Sequence, residues 1–392
     1  MRDKSVRDLK YLQYFEDLLQ QANNALVEQA KADGKVCVAY TCENVPEPLL
    51  NLDRAVSIRL SAPNTGSIDI ATYYMTNLLC EPSRALLERA IEGGFNFADC
   101  VITPDGCTMM NRCVENMELL NTMGKENPNF FHQYMEIAFK NTDSDVDLAV
   151  LQCTNHVLTP LREKYGIDTS DTAIRKAVEE HNRVCRVIRA ISEFRKEEKP
   201  RITGYEFHVL CLATYVCPKY LIIDKLEETL EEIRTREPDD KKWRARVLVV
   251  GSETDDSGFI KLIEEQGAFV CCDRFCFGLP RPRADRAQRR GGRAAPGLPP
   301  LHTQLPLPAH DEHGQGLRPQ AVCRRPCEGV RRRRRHLPAG QVLRPLGLRE
   351  DARLVDAAYR LRLPGPVRRQ ALQRRLLRRP AAHPRAGLRG EH

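Results

Sequence analysis

Apolar positions along the chain follow two rhythms. Over residues 6–32, Leu9, Leu12, Tyr14, Phe15, Leu18, Leu19, Ala22 and Leu26 recur at helical spacing and Gly34 closes the run, which predicts an N-terminal helix. Residues 36–40 predict a buried strand, and 41–50 its turn into a short helix, with Pro46 suited to a first helical position. Residues 55–60 predict a second strand, 68–92 a long helix ended by Gly93 and Gly94, and 97–102 a third strand. A loop over 103–113 leaves that strand for another helix.

Further on, 146–153 reads as a fourth strand and 169–198 as a long helix capped by Asp168, Thr169 or Ser170 and broken by Pro200. Residues 205–216 and 221–235 predict two more helices. Val247 to Val250 is an apolar run rich in β-branched residues, the pattern of a strand buried on both faces of a parallel sheet. A polar turn, helical spacing through Phe259, Ile260, Leu262 and Ile263, and a second strand at 268–272 complete a strand-helix-strand unit. Strands alternating with helices predict an α/β protein with two doubly wound domains joined by a helical segment. The expected boundaries are 1–160, 161–240 and 241–278, followed by a tail at 279–392.

Composition changes the picture at the tail. Residues 279–392 hold 27 Arg, no Lys and 8 acidic residues, a net +19, whereas the whole chain carries only +8. The tail has 15 of the 25 prolines and no Ile, Phe, Met, Ser or Asn. A domain that binds nucleic acid mixes Lys with Arg and keeps aromatic or β-branched residues for a core. The tail reads instead as irregular chain, and the Arg331–Arg335 run as a solvated basic stretch or a nucleic-acid contact. Elsewhere, no stretch of about 18 apolar residues suggests a membrane span, and residues 1–5 lead into an amphipathic helix, so a cytoplasmic protein is expected.

Fifteen cysteines in such a chain point to reduced thiols. None forms a Cys-x-x-Cys pair, which argues against zinc ribbons, thioredoxin-like chemistry and ferredoxin-type cluster loops. Neither Gly-x-Gly-x-x-Gly nor a Walker-type phosphate loop is present. Two cysteines stand out by placement: Cys107 and Cys276 each fall just past the carboxyl end of an apolar strand, where open α/β sheets place ligands. Cysteines presented singly from separate strand ends can converge on one iron-sulfur cluster; the bland alternative is that they are small buried hydrophobes, the reading given to Cys37, Cys42, Cys80, Cys100, Cys153, Cys185, Cys211, Cys217, Cys271 and Cys272.

Val-Cys-Cys-Asp-Arg-Phe-Cys-Phe-Gly at 270–278, preceded by Gly-Ser-Glu at 251–253 and a helix ending Glu-Glu-Gln-Gly-Ala, resembles a cluster motif of the 2-hydroxyacyl-CoA dehydratase and benzoyl-CoA reductase family. Val-Pro-Glu-Pro-Leu-Leu at 45–50 resembles the family's N-terminal Pro-Glu turn, Cys107 falls where its first cluster cysteine sits, and His181-Asn-Arg183 with Ile-Thr-Gly-Tyr-Glu-Phe at 202–207 fits its middle helices. The resemblance covers residues 1–278. It implies two Rossmann-like doubly wound parallel-sheet domains, a partner subunit of the same fold, an ATP-dependent iron-sulfur activator protein and an acyl-CoA substrate. It also implies a [4Fe-4S] cluster on three cysteines, with Cys107 and Cys276 as two of the ligands and Glu47 as a polar group on the substrate side. The competing reading of Glu47 is a first-turn acid favoured by the helix dipole. The implied reaction is elimination of water from a 2-hydroxyacyl-CoA to a 2-enoyl-CoA through a ketyl radical. A reductase of the same family and a nucleic-acid-binding protein using the tail are the alternatives, though nucleic acid is not the expected partner.

The family's third cysteine belongs in a motif near Phe-Cys-Asp-Pro-Trp-Gly-Tyr-Glu, which this chain lacks; Cys323 and Cys327 have other surroundings. Yet codons can be chosen for residues 337–350 such that the frame one base later reads Tyr-Gln-Gln-Val-Lys-Phe-Cys-Asp-Pro-Trp-Gly-Tyr-Glu. Residues 308–315 can likewise hide Pro-Arg-Met-Met-Asn-Met-Asp in that same frame. The expectation is a frameshift near residues 277–280, with everything beyond translated out of frame.

Overall fold

A computed structural model of the chain describes residues 8–137, 143–238, 240–251 and 253–280. The tail beyond 280, with its expected irregularity, Cys323 and Cys327, lies outside them. Four strands form a parallel sheet: β1 (Val36–Tyr40), β2 (Ala55–Arg59), β3 (Cys100–Pro104) and β4 (Phe131–Met135), in the order β2-β1-β3-β4. Two more, β5 (Ala245–Val250) and β6 (Ala268–Arg274), pair in parallel as a second sheet. The protein is therefore α/β with parallel sheets, as the alternation of periods predicts.

β1, β2 and β3 are buried along their whole length, since helices cover both faces of the first sheet. On one face pack α2 (Ala25–Ala32), α3 (Asp69–Met75), α4 (Glu81–Ile91) and α5 (Thr108–Leu119), through residues such as Val27, Leu87, Phe95, Cys113 and Met117. On the other lie Leu49 and Leu50 of a 3-10 turn (Glu47–Leu50), α7 (Thr159–Tyr165) and the start of α8 (Asp171–Glu193). The end of α8 joins α1 (Leu12–Leu18), α9 (Gly204–Val216) and α10 (Lys219–Thr235) in a separate helical core. α11 (Ser257–Glu265) covers β5 and β6 through Ile260 and Ile263. No helix among the described residues is long and apolar enough to cross a membrane.

Local chemistry explains where elements break. The run expected as one helix over 6–32 is two, because the Asn24 side chain accepts from Leu26 N and Val27 N and starts α2 afresh. The run over 68–92 is also two: Thr76 sits at φ 60°, outside the helical region, and Pro82 opens α4. Ser170 caps α8 by accepting from Ala173 N, and that helix gives way to a 3-10 turn at Phe194.

One element is corrected outright. Residues 146–153 are not a strand but the body of α6 (Asp143–Cys153), which continues through a π-turn (Thr154–Leu158) into α7. Ala149 and Cys153, four apart, are buried while Leu151 is half exposed, so the short apolar run follows the helical period. The fourth strand is β4, an edge whose polar His132, Gln133 and Tyr134 hid it from a search for apolar runs. β5 is also less covered than its sequence predicts: its residues are partly exposed and Val250 is 58 % exposed.

Candidate active site at the carboxyl edge of the sheets

In the order β2-β1-β3-β4 the winding reverses between β1 and β3, and the crevice beyond that pair is where doubly wound sheets place ligands. The loop after β1 and the loop after β3 meet there. A Cβ added to Gly106 would lie 2.7 Å from the Asn44 amide nitrogen, so the two loops are in direct contact. Cys107 follows Gly106 as the N-cap residue of α5, only partly buried.

The second sheet turns its own carboxyl edge toward the same β1 loop. Arg274 at the end of β6 pairs with Glu43 at 3.7 Å, and Cys276 lies two residues further on. Arg59, the last residue of β2, donates from Nη1 to the Cys276 carbonyl at 2.7 Å and from Nη2 to Glu253 Oε1 at 3.1 Å. Asp255 accepts from Ala62 N at 3.0 Å. The structure thus brings the backbones just before Cys107 and Cys276 against the same loop, at Asn44 and Glu43.

Of the cysteines among the described residues, only Cys80, Cys107, Cys271 and Cys276 are partly exposed. Sequence alone predicts a small buried hydrophobe at Cys80. It is the N-cap residue of α4, and α4 runs into the start of β3, so its N-terminus lies at the carboxyl edge beside that of α5. Its Sγ donates to Ser83 Oγ at 3.2 Å. The available signal was a Cys immediately before Glu-Pro, a helix start, rather than any spacing to another cysteine.

Glu47 is buried at the centre of an ion network. Lys219 at the head of α10 donates to it, Ser57 of β2 donates to Oε1 at 3.2 Å, and His181 of α8 has Nδ1 3.6 Å from Oε2. Burial alone would raise this carboxyl; the Lys219 ammonium and then His181 outweigh it and hold it at about 2. Glu47 is therefore held as an anion at neutral pH. Burial pushes the Cys276 thiol up to about 12, with Glu253 adding to the shift and Arg59 opposing it.

Among the described residues no three His, Cys, Asp or Glu side chains gather so as to hold a metal ion. Separate thiols reach one edge, but as placed they do not make the three-thiolate set that an open-cornered cluster needs.

The family model of the 2-hydroxyglutaryl-CoA dehydratase D-component matches residues 42–291, more than half of the chain and all of this edge. No curated protein matches the chain. The resemblance drawn from the residues around Cys276 and Glu47 is thereby extended to residues 42–291, and the protein belongs to the 2-hydroxyglutaryl-CoA dehydratase D-component family.

Proposed function

We propose that this chain is one subunit of a 2-hydroxyacyl-CoA dehydratase, which eliminates water from a 2-hydroxyacyl thioester to give the 2-enoyl thioester. The observation that carries the reading is the family match across residues 42–291, which spans both loops that flank the switch point. The resemblance adds a partner subunit of the same fold, an ATP-dependent iron-sulfur activator and a reductively initiated, radical course for the elimination. It also assigns Cys107 and Cys276 to a [4Fe-4S] cluster. Cys80 is a further thiol at the same edge, and a third ligand remains to be supplied.

For Glu47 we favour the role of a fixed anion: its ionised carboxylate ties the turn after β1 to β2, α8 and α10, and so sets the wall of the crevice. The tail is proposed to be an out-of-frame translation, which deprives this chain of the remaining ligand and of activity, and the chain is proposed to divide into domains at 160, 240 and 278. The test is an anaerobic assay of the chain with its partner subunit, activator, ATP and a 2-hydroxyacyl-CoA, run beside a frame-restored version. Formation of 2-enoyl-CoA by the restored protein supports the reading. Formation of a dienoyl-CoA from an aromatic acyl-CoA instead would assign it to the reductase branch.

A further inference from the structure

Cys276 belongs by sequence to the second sheet, yet most of what holds it comes from elsewhere. It sits in a tight turn over residues 275–278, in which Gly278 N donates to the Phe275 carbonyl at 2.8 Å. A Cβ at Gly278 would lie 2.8 Å from that same oxygen, so the turn leaves no room for a side chain there. The turn's outward carbonyls are taken by other elements. Tyr215 of α9 donates to the Gly278 carbonyl at 2.7 Å, and the Cys276 carbonyl accepts from Arg59 of β2 at 2.7 Å.

Arg59 is built for a single position. Its side chain is 1 % exposed and its guanidinium is paired with Glu253 from the loop after β5. The guanidinium carbon lies 3.9 Å from the centre of the Phe277 ring and 5.3 Å from that of Tyr215. A buried arginine that donates from both Nη1 and Nη2 and lies against an aromatic ring has little rotamer freedom, so the carbonyl it grips is held as well. The same side chain joins the rim of the first sheet to both loops at the carboxyl edge of the second.

We propose that Arg59 is a positioning residue for Cys276, holding the turn that presents this thiol against the crevice of the first sheet. The proposal rests on the reading of Cys276 as a site residue, but its test involves neither dehydration nor iron. The full-length reduced chain, with an iron chelator present, is labelled with iodoacetamide at one fixed pH, and each cysteine is followed by peptide mass spectrometry. Cys107 and Cys80 serve as internal references.

Loss of a buried charged hydrogen bond frees the turn, so Arg59→Met is expected to raise the Cys276 labelling rate roughly ten-fold while Cys107 and Cys80 keep theirs. Arg59→Lys, which keeps the charge and a donor, should restore most of the protection. Glu253→Gln removes the partner and leaves the arginine in place; hydrogen exchange at the Gly278 amide, which does not depend on the charge of the thiol, should then quicken roughly three-fold, and it decides the matter if Arg59→Met does not fold. Unchanged Cys276 labelling in Arg59→Met together with unchanged Gly278 exchange in Glu253→Gln overturns the proposal. So does a parallel rise at Cys107 and Cys80, which signals general loosening. A chain that labels as expected yet never dehydrates a thioester, even frame-restored, overturns the dehydratase reading and leaves this one standing.

Discussion

Glu47 and His208 are both almost fully buried, yet they are held in opposite charge states. Glu47 keeps its charge because Lys219 and His181 face it. Removing that charge leaves Lys219 without its counter-ion, so Glu47→Gln should cost about 3 kcal/mol in urea unfolding at neutral pH. His208 on α9 stacks edge-on against Phe275. Burial pulls it down to about 4, against the pull of Asp273 in the other direction. Its folded value lies below the ordinary 6.5, so the unfolded chain takes up the proton first, and stability is lost as pH falls from 6.5 toward 4. Unfolding measured at pH 7 and pH 5 should show a loss of roughly 2 kcal/mol that His208→Phe abolishes. The loss from Glu47 belongs to a lower window, between its ordinary 4.5 and about 2. Sequence alone could name Glu47 from its motif, but not its charge state. Lys219 and His181 are more than 130 positions away along the chain and meet it only through packing of α8 and α10.

At the scale of elements, the join between α9 and the second sheet is specified by short-range rules. Thr203 and Glu206 form a capping box at the start of α9. Glu264 of α11 adds a buried carboxylate that accepts from Gly204 N, Tyr205 N and Val270 N. Gly204 is required there because a Cβ would stand 2.6 Å from both the side chain and the carbonyl of Val270. Gly204→Ala should therefore destabilise the fold by about 2 kcal/mol, although alanine is the better helix former, and Thr203→Ala by about 1 kcal/mol. Thermal melts of both variants test the ranking. Stops and caps such as those at Gly34, Ser170 and Gly267 were legible in the sequence, whereas the breaks at Asn24 and Thr76 were not. The failure at 146–153 has a plain cause: an apolar run of that length fits either period, and only its packing against the sheet decides. β4 escaped notice because an edge strand needs no continuous apolar run.

At the scale of the molecule, the four hydrophobic cores of the described residues draw on residues 9–279. A chain cut after Pro280 should melt within about 3 °C of the full-length protein, as measured by circular dichroism. Resequencing the gene across the codons for 277–280 tests the frameshift; a sequence with no alternative frame restoring the cysteine motif would refute it. Iron and sulfide assays of anaerobically purified protein should then show a marked rise from the present chain to the frame-restored one. An equal iron content in both would remove the restored cysteine from the ligand set.

The sequence by itself determined the α/β class, the order of most elements, the family and the two strand ends that carry Cys107 and Cys276, because periodicity and turn chemistry are local. What the tertiary structure decided is which distant groups share a space: Arg59 with Cys276, Lys219 with Glu47, and the β1 loop with the segments that lead to both cysteines. Those pairings depend on how helices and sheets pack against one another, and no periodicity within a single segment records that.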